Sequence, residues 1–209
     1  MRQPFLFAIA TLILIQIGIT SASAQSAATD SKDMSVFVFV GESVRGFDNY
    51  PFESTYGEQQ FAGVSGNWTP IELGAGFRAG LDAGLSIRED GDGLGPSGTS
   101  GEVWLGPTLV HEGFELGPVI LRPAFTAGFS AVTESNGLER TREIEEDGNA
   151  ALLYYLGPEL GIALRSNPNW SFVYRFHHRS GASEVDVIPT IGSIGDTMNA
   201  STFGLRYRF

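Results

Sequence analysis

In the stretch "ELGAGFRAGLDAGLSIR" every second residue is apolar: Leu73, Ala75, Phe77, Ala79, Leu81, Ala83, Leu85 and Ile87. The residues between them, Glu72, Gly74, Gly76, Arg78, Gly80, Asp82, Gly84, Ser86 and Arg88, are small or charged. A period of two marks a strand whose two faces meet different surroundings. The run far exceeds the roughly 5–6 residues usual for a strand of a soluble sheet. A soluble sandwich calls for shorter strands around a tighter apolar core. A wall between lipid and a polar interior calls for this length and this alternation.

The end of the chain repeats the pattern. Phe203, Leu205, Tyr207 and Phe209 alternate with Thr202, Gly204, Arg206 and Arg208. A chain closing on alternate aromatics resembles the C-terminal strand of bacterial outer-membrane barrels. The beginning, "MRQPFLFAIATLILIQIGITSASAQ", reads as a secretory signal: Arg2 is the basic n-region, Phe5 to Ile15 the apolar run, and Ala22-Ser-Ala24 the cleavage site before Gln25. A polar, small-residue tail without a basic stop-transfer cluster favours a cleaved signal over a membrane helix. Residues 1–24 are thus expected to be removed, leaving 25–209 as one barrel domain.

Composition narrows the function. The chain has 13 basic and 24 acidic residues and a net charge of −11. That balance excludes nucleic acid as a partner, since phosphate binding needs clustered Lys and Arg. There are no cysteines, so an exported fold here takes no stability from disulfides. Past the signal no apolar run approaches the roughly 20 residues a spanning helix needs; "ALLYYL" is far too short.

Eight strands are expected, near 34–45, 58–69, 72–88, 102–112, 116–132, 151–165, 169–180 and 199–209. Their connections alternate between tight joints and long polar loops such as "TESNGLERTREIEEDGNA" and "GASEVDVIPTIGSIGDTM". Short periplasmic turns and long outer loops are the barrel pattern, and an even strand count puts both termini in the periplasm. Pro107 and Pro118 each remove a ladder donor and blur the fourth and fifth strands. The fold class is therefore an all-β, eight-stranded antiparallel transmembrane β-barrel after a cleaved signal peptide, located in the bacterial outer membrane.

Three motifs carry no weight. "GLGPSG" at 93–98 matches a dinucleotide fingerprint in letters, but it contains a proline and opens no helix. "DGDG" at 90–93 and "EIEED" at 143–147 are read as solvated acidic loops, with no metal assigned. His111 is given no role.

"NWSFVYRFHHRS" is different. Trp170, Phe172, Tyr174 and Phe176 share one face, and Val173, Arg175, His177 and Arg179 the other. If the aromatic face meets lipid, His178 and Ser180 continue it to the outer rim, while His177 points inward. A histidine and a serine two apart on one strand face are neighbours, so the hydroxyl can reach the imidazole. On the last strand, parity counted back from Phe209 puts Asn199 beside them. Polar side chains that merely mark the headgroup level fit this placement as well.

With "YYLGPELGIALRSNPNWSFVYRF" before it, "HRSGAS" resembles the outer-membrane lipid A 3-O-deacylase family, most clearly over 151–209. These are eight-stranded barrels with the signature His-x-Ser-Asn-Ala-Gly and a catalytic glutamate on the last strand. The resemblance implies a serine esterase that removes an ester-linked acyl chain at position 3 of lipid A in lipopolysaccharide. His178 would be the base, Ser180 the nucleophile, and the backbone N–H groups of Gly181 and Ala182 the oxyanion donors, with no cofactor. Two positions depart from the family. Gly181 replaces an asparagine, and Asn199 replaces the glutamate. An asparagine orients an imidazole without offsetting its positive charge, and the analogous change in a protease triad costs about 10⁴-fold in turnover. Either activity is low, or Glu184 or Asp186 from the outer loop supplies the carboxylate. The competing reading is a non-enzymatic small barrel, structural or adhesin-like, that uses its acidic outer loops.

Overall fold

The computed structural model describes residues 33–45, 55–89, 98–183 and 188–209. The expected signal segment 1–24, "DGDG", Glu184 and Asp186 lie outside the described residues.

The strands are β1 (Met34–Arg45), β2 (Thr55–Gly74), β3 (Phe77–Glu89), β4 (Thr99–His111), β5 (Phe114–Leu116), β6 (Val119–Val132), β7 (Leu152–Leu164), β8 (Asn167–Ser180) and β9 (Asp196–Arg208). Among the described residues, a helix, α1 (Gly137–Glu145), sits between β6 and β7. Every paired strand is antiparallel, β1 pairs with β9, and the β4–β6 pairing closes the circuit. Eight long strands make a closed barrel, and β5 only extends β6 as a small hairpin. Closure leaves no unpaired edge, which backbone in hydrocarbon requires.

The outward face is the apolar one. Leu81, Leu85, Leu105, Phe129, Leu160, Phe172 and Leu205 are all exposed there. Trp68, Trp170, Tyr207 and Phe209 gather near the short-turn end, as an aromatic girdle at a membrane interface would.

Two boundaries differ from expectation. The chain reverses at Ala75-Gly76, both with positive φ (51° and 79°), inside the expected strand 72–88. Register shifts between Trp68 and Ile71, and between Glu72 and Gly74, change the outward parity of β2 on the way to that turn. Ile71 and Leu73 therefore stay exposed, and the odd-apolar pattern runs through the hairpin without a visible break. Pro70 stands at the first irregularity, where a missing ladder donor does least harm. The second difference is α1, which lies within what was expected as a long polar outer loop. Its Arg140–Glu143 and Arg142–Glu146 pairs, at 2.9 and 3.2 Å, have helical i,i+3 and i,i+4 spacing.

The interior is a packed column of charge and aromatic rings. Arg175 lies between Asp82 at 3.0 Å and Glu159, and Arg206 reaches Glu159 at 2.6 Å. Trp104 Nε1 donates to Asp82 at 2.7 Å, and Phe37, Phe39, Trp104, Tyr155 and Val173 pack around this layer. Towards the long-loop end, Glu102 faces His177 at 2.8 Å, Arg179 at 3.6 Å and Arg88 at 3.9 Å. Glu139 of α1 enters the barrel to pair with Arg88 at 3.1 Å and with Arg179. The side chains of Arg88, Glu102, Glu139 and Arg179 are fully buried, so each charge depends on its partners.

Removing one member should therefore be expensive. Glu102→Gln removes the buried carboxylate that faces His177, Arg179 and Arg88 and should destabilise the refolded barrel by about 3–5 kcal/mol. Urea unfolding in detergent measures this, and a midpoint unchanged from wild type would contradict it.

Candidate active site at the outer rim

β8 builds the site by simple alternation. Val173, Arg175, His177 and Arg179 are buried inside the barrel, while Phe172 is exposed outside and Tyr174, His178 and Ser180 are partly exposed. Phe176 is buried although it lies on the outward row. His177 belongs to the interior, with Nε2 on Glu102.

β9 pairs beside β8 with His178 opposite Asn199. His178 Nδ1 lies 2.6 Å from Asn199 Oδ1. A carbonyl oxygen only accepts, so Nδ1 is the protonated nitrogen of this pair and Nε2 keeps its lone pair. The imidazole is thus held in the tautomer a general base needs.

The register shifts between Arg179 and Ser180, where the strand ends. The Ser180 hydroxyl donates to the Gly195 carbonyl at 3.3 Å and accepts from the Ala182 N–H at 3.0 Å. It is held by the backbone of the loop that follows it. Gly181 donates its N–H to the Gly195 oxygen at 3.0 Å and accepts from the Ile191 N–H at 2.9 Å. The two N–H groups expected to hold an oxyanion are therefore both engaged, one by Gly195 and one by Ser180. Freeing the Ala182 N–H takes only a rotation of the Ser180 side chain; freeing that of Gly181 takes movement of the 191–195 segment.

That segment explains the glycine at 181. A Cβ there would press on the carbonyl oxygens of Ile194 and Ile191, well inside van der Waals contact. Ile194 is itself fully buried against Ala150 and Leu153. The region after α1 ties the segment down: Asn149 N–H donates to Gly192 O at 2.6 Å, and Gly195 N–H to a Glu146 oxygen at 2.9 Å. Glu143 receives Ser135, the Ala150 N–H at 2.7 Å and Arg140 at 2.9 Å. Burial pushes the Glu143 carboxyl up, but these hydrogen bonds outweigh it and hold its pKa below the ordinary value. "EIEED" thus serves as a set of loop anchors.

One functional candidate was missed in the sequence. Glu42 of β1 lies opposite Ser201, and Val44 opposite Asn199. Parity puts Glu42 on the same outward face, diagonal to Asn199, at a spacing of roughly 7–8 Å between such positions. The partner strand of β9 is the first strand of the barrel, a neighbour that only closure of the circuit reveals. Alternation along β1 carried the signal: Val36, Val38 and Val40 lead outward to Glu42.

No protein-family model and no curated protein matches the chain. Solved structures do. The outer-membrane enzyme PagL superposes with a TM-score of 0.52 at 15% identity, over 84% of this chain and 99% of its own. This chain has the fold of the eight-stranded outer-membrane β-barrels. Neisserial surface protein A (NspA) matches with a TM-score of 0.50 at 11% identity, over 86% of this chain and 98% of its own. One of these barrels is an enzyme and the other a surface protein, so the shared fold leaves the choice between those roles to the site.

Two outcomes follow from this geometry. Gly181→Asn should destabilise the rim by about 1–3 kcal/mol through overpacking, seen as faster proteolysis within 181–195; unchanged protection would contradict the packing. Glu143 has a lowered folded pKa, so its stabilisation is present above the ordinary carboxylate value of 4.5 and is lost as pH falls through the folded value. Acid exposure below 4.5 should raise hydrogen exchange at Ala150, and Glu143→Gln should show that exchange already at neutral pH.

Proposed function

We propose that the outer rim is an esterase site acting on an ester-linked acyl chain of lipid A, the 3-position chain that the family resemblance implies. The observation that carries this reading is the His178 Nδ1–Asn199 Oδ1 contact of 2.6 Å on the lipid-facing side, with Ser180 two residues along the same row. A lipid ester in the outer leaflet meets the barrel at that surface, and a soluble substrate does not. Nε2 of His178 takes the proton as the Ser180 oxygen attacks the ester carbonyl. The Ser180 side chain must first turn away from Gly195, which releases the Ala182 N–H towards the developing oxyanion. Acyl transfer to Ser180 expels the sugar hydroxyl, which takes the proton back from His178. Water then attacks the acyl-enzyme by the same route, releases the fatty acid and restores Ser180.

The protonated imidazole of the transition state lacks the carboxylate that a glutamate at 199 would supply. Glu42 provides a negative charge at one remove, through Asn199, whose amide N–H₂ can donate to a carboxylate while its oxygen holds His178. Glu42 thus joins Glu184 and Asp186 as a candidate for the compensating acid. The non-enzymatic barrel is favoured by one feature, the backbone hydrogen bonds that occupy the Ser180 hydroxyl.

Mass spectrometry of lipid A incubated with the refolded barrel separates these readings. Ser180→Ala and His178→Ala should each abolish fatty-acid release while the barrel still folds. Asn199→Glu should raise turnover, by about 10–10³-fold given the reverse change in a protease triad. Glu42→Gln should lower it in the wild-type background and matter little beside Asn199→Glu. Lipid A unchanged by wild type and by every variant would leave the surface-barrel reading in place.

A further inference from the structure

His111 ends β4 on the outward row of that strand, yet it is only 7% exposed, where Leu105 and Leu109 of the same row are 56% and 40% exposed. Two rings cover it. Phe114 stacks on the imidazole at 3.8 Å and 10°, and Phe77 meets its edge at 4.8 Å. The backbone also approaches closely: a Cβ on Gly76 would stand 2.9 Å from His111 Nε2.

Both ring nitrogens bond to backbone, in two different turns. Nε2 lies 3.1 Å from the Ala75 carbonyl oxygen, between β2 and β3. Nδ1 lies 3.0 Å from the Gly113 nitrogen, in the bend between β4 and β5. A carbonyl only accepts and an amide N–H only donates, so Nε2 carries the proton and Nδ1 the lone pair. Only a neutral imidazole makes both bonds.

The ring sits in a joint of three short turns. Glu112 N–H donates to Gly76 O at 2.8 Å, which ties the first two. Glu112 O accepts from Arg122 Nε at 2.8 Å, and Arg122 Nη1 donates to Pro168 O at 2.8 Å, beside the β7–β8 turn. The charged groups of the surrounding elements are matched with one another. Arg78 of β3 takes Asp33, Glu72 of β2 at 2.9 Å and Glu112 at 3.6 Å, and Glu115 of β5 takes Arg165 at 3.3 Å. The imidazole is the part of this joint whose bonding depends on its being uncharged.

We propose that His111 is an acid-sensitive latch between the β2–β3 turn and the bend that leads into β5. A proton on Nδ1 sets two N–H groups head to head across 3.0 Å, so the Gly113 bond breaks and leaves a donor unpaired on each side. The bend at Gly113 then opens and Phe114 loses its stack on the ring, while Glu112 stays on Gly76. The latch is closed above the titration of His111 and opens as pH falls through it. It lies at the short-turn end, away from the rim, so its failure would leave the esterase reading untouched.

Amide hydrogen exchange and imidazole chemical shifts, read by NMR on the refolded barrel from about pH 8 to about pH 5, test it. With the intrinsic pH dependence of exchange removed, Gly113 should lose about 3–10-fold in protection, at the midpoint of the His111 ring shifts. The Glu112 amide, held on Gly76, should change less. Glu112→Gln should keep this step, which separates it from titration of the neighbouring carboxylate. His111→Gln should abolish the step, whether its side-chain amide rebuilds both bonds or leaves Gly113 open at every pH. Gel migration before and after heating shows which variants are folded, and wild type with Glu112→Gln decides the matter if His111→Gln is not. Gly113 protection that holds throughout this range, or a step at another midpoint than the ring's, would overturn the proposal. So would a step lost in Glu112→Gln or kept in His111→Gln.

Discussion

The barrel depends on the guanidinium–carboxylate pairs buried along its axis. Lipid outside gives no hydrophobic pressure to squeeze the wall together, because hydrocarbon is as good a surrounding for Leu160 or Phe172 as another side chain. What distinguishes the correct closure is the inside. Arg175 of β8 meets Asp82 of β3 and Glu159 of β7, and Trp104 of β4 donates to the same Asp82. A register slip of one residue on any of those strands would send a charge into lipid and an apolar side chain into this network. The pairs contribute less as raw stability than as the condition that only one register meets.

The same logic explains how much of the fold was legible. Inward and outward rows follow from period two, so Arg175 and His177 inside, and Phe172 and His178 outside, needed no structure. The interruptions were harder. Shifts near Pro70 and Leu73 change parity before the turn at Ala75-Gly76, and two parity changes in quick succession leave an alternation that looks continuous. Helix α1 was hidden for a different reason. Its determining contact, Glu139 with Arg88 and Arg179, joins positions far apart in the chain. Locally its signal was a set of Arg–Glu spacings, and such pairs add a few tenths of a kcal/mol each.

At the site, the residues on one strand face were readable and the backbone around them was not. His178 and Asn199 meet because parity and hairpin pairing say so. The position of the Ser180 hydroxyl is set by Gly195 and Ala182, in a loop whose path no periodicity records. The glycine at 181 has no visible reason in the sequence until the carbonyls of Ile194 and Ile191 are seen over it. Glu42 escaped because it lies at the other end of the chain, and a barrel makes its first and last strands neighbours.

The loop cap and the charge column are one mechanical unit. Glu139 roots α1 in the barrel, Glu143 holds Ala150, and Glu146 holds Gly195. Gly195 in turn receives both the Ser180 hydroxyl and the Gly181 N–H. A chain of contacts therefore runs from the buried pair of Arg88 and Arg179 to the proposed nucleophile without passing through lipid. The orientation of Ser180 is set by whether this cap stays docked, and the interior charges that close the barrel are also what dock it. The orientation of Ser180 at the rim and correct closure of the wall thus rest on the same four buried side chains: Arg88, Glu102, Glu139 and Arg179.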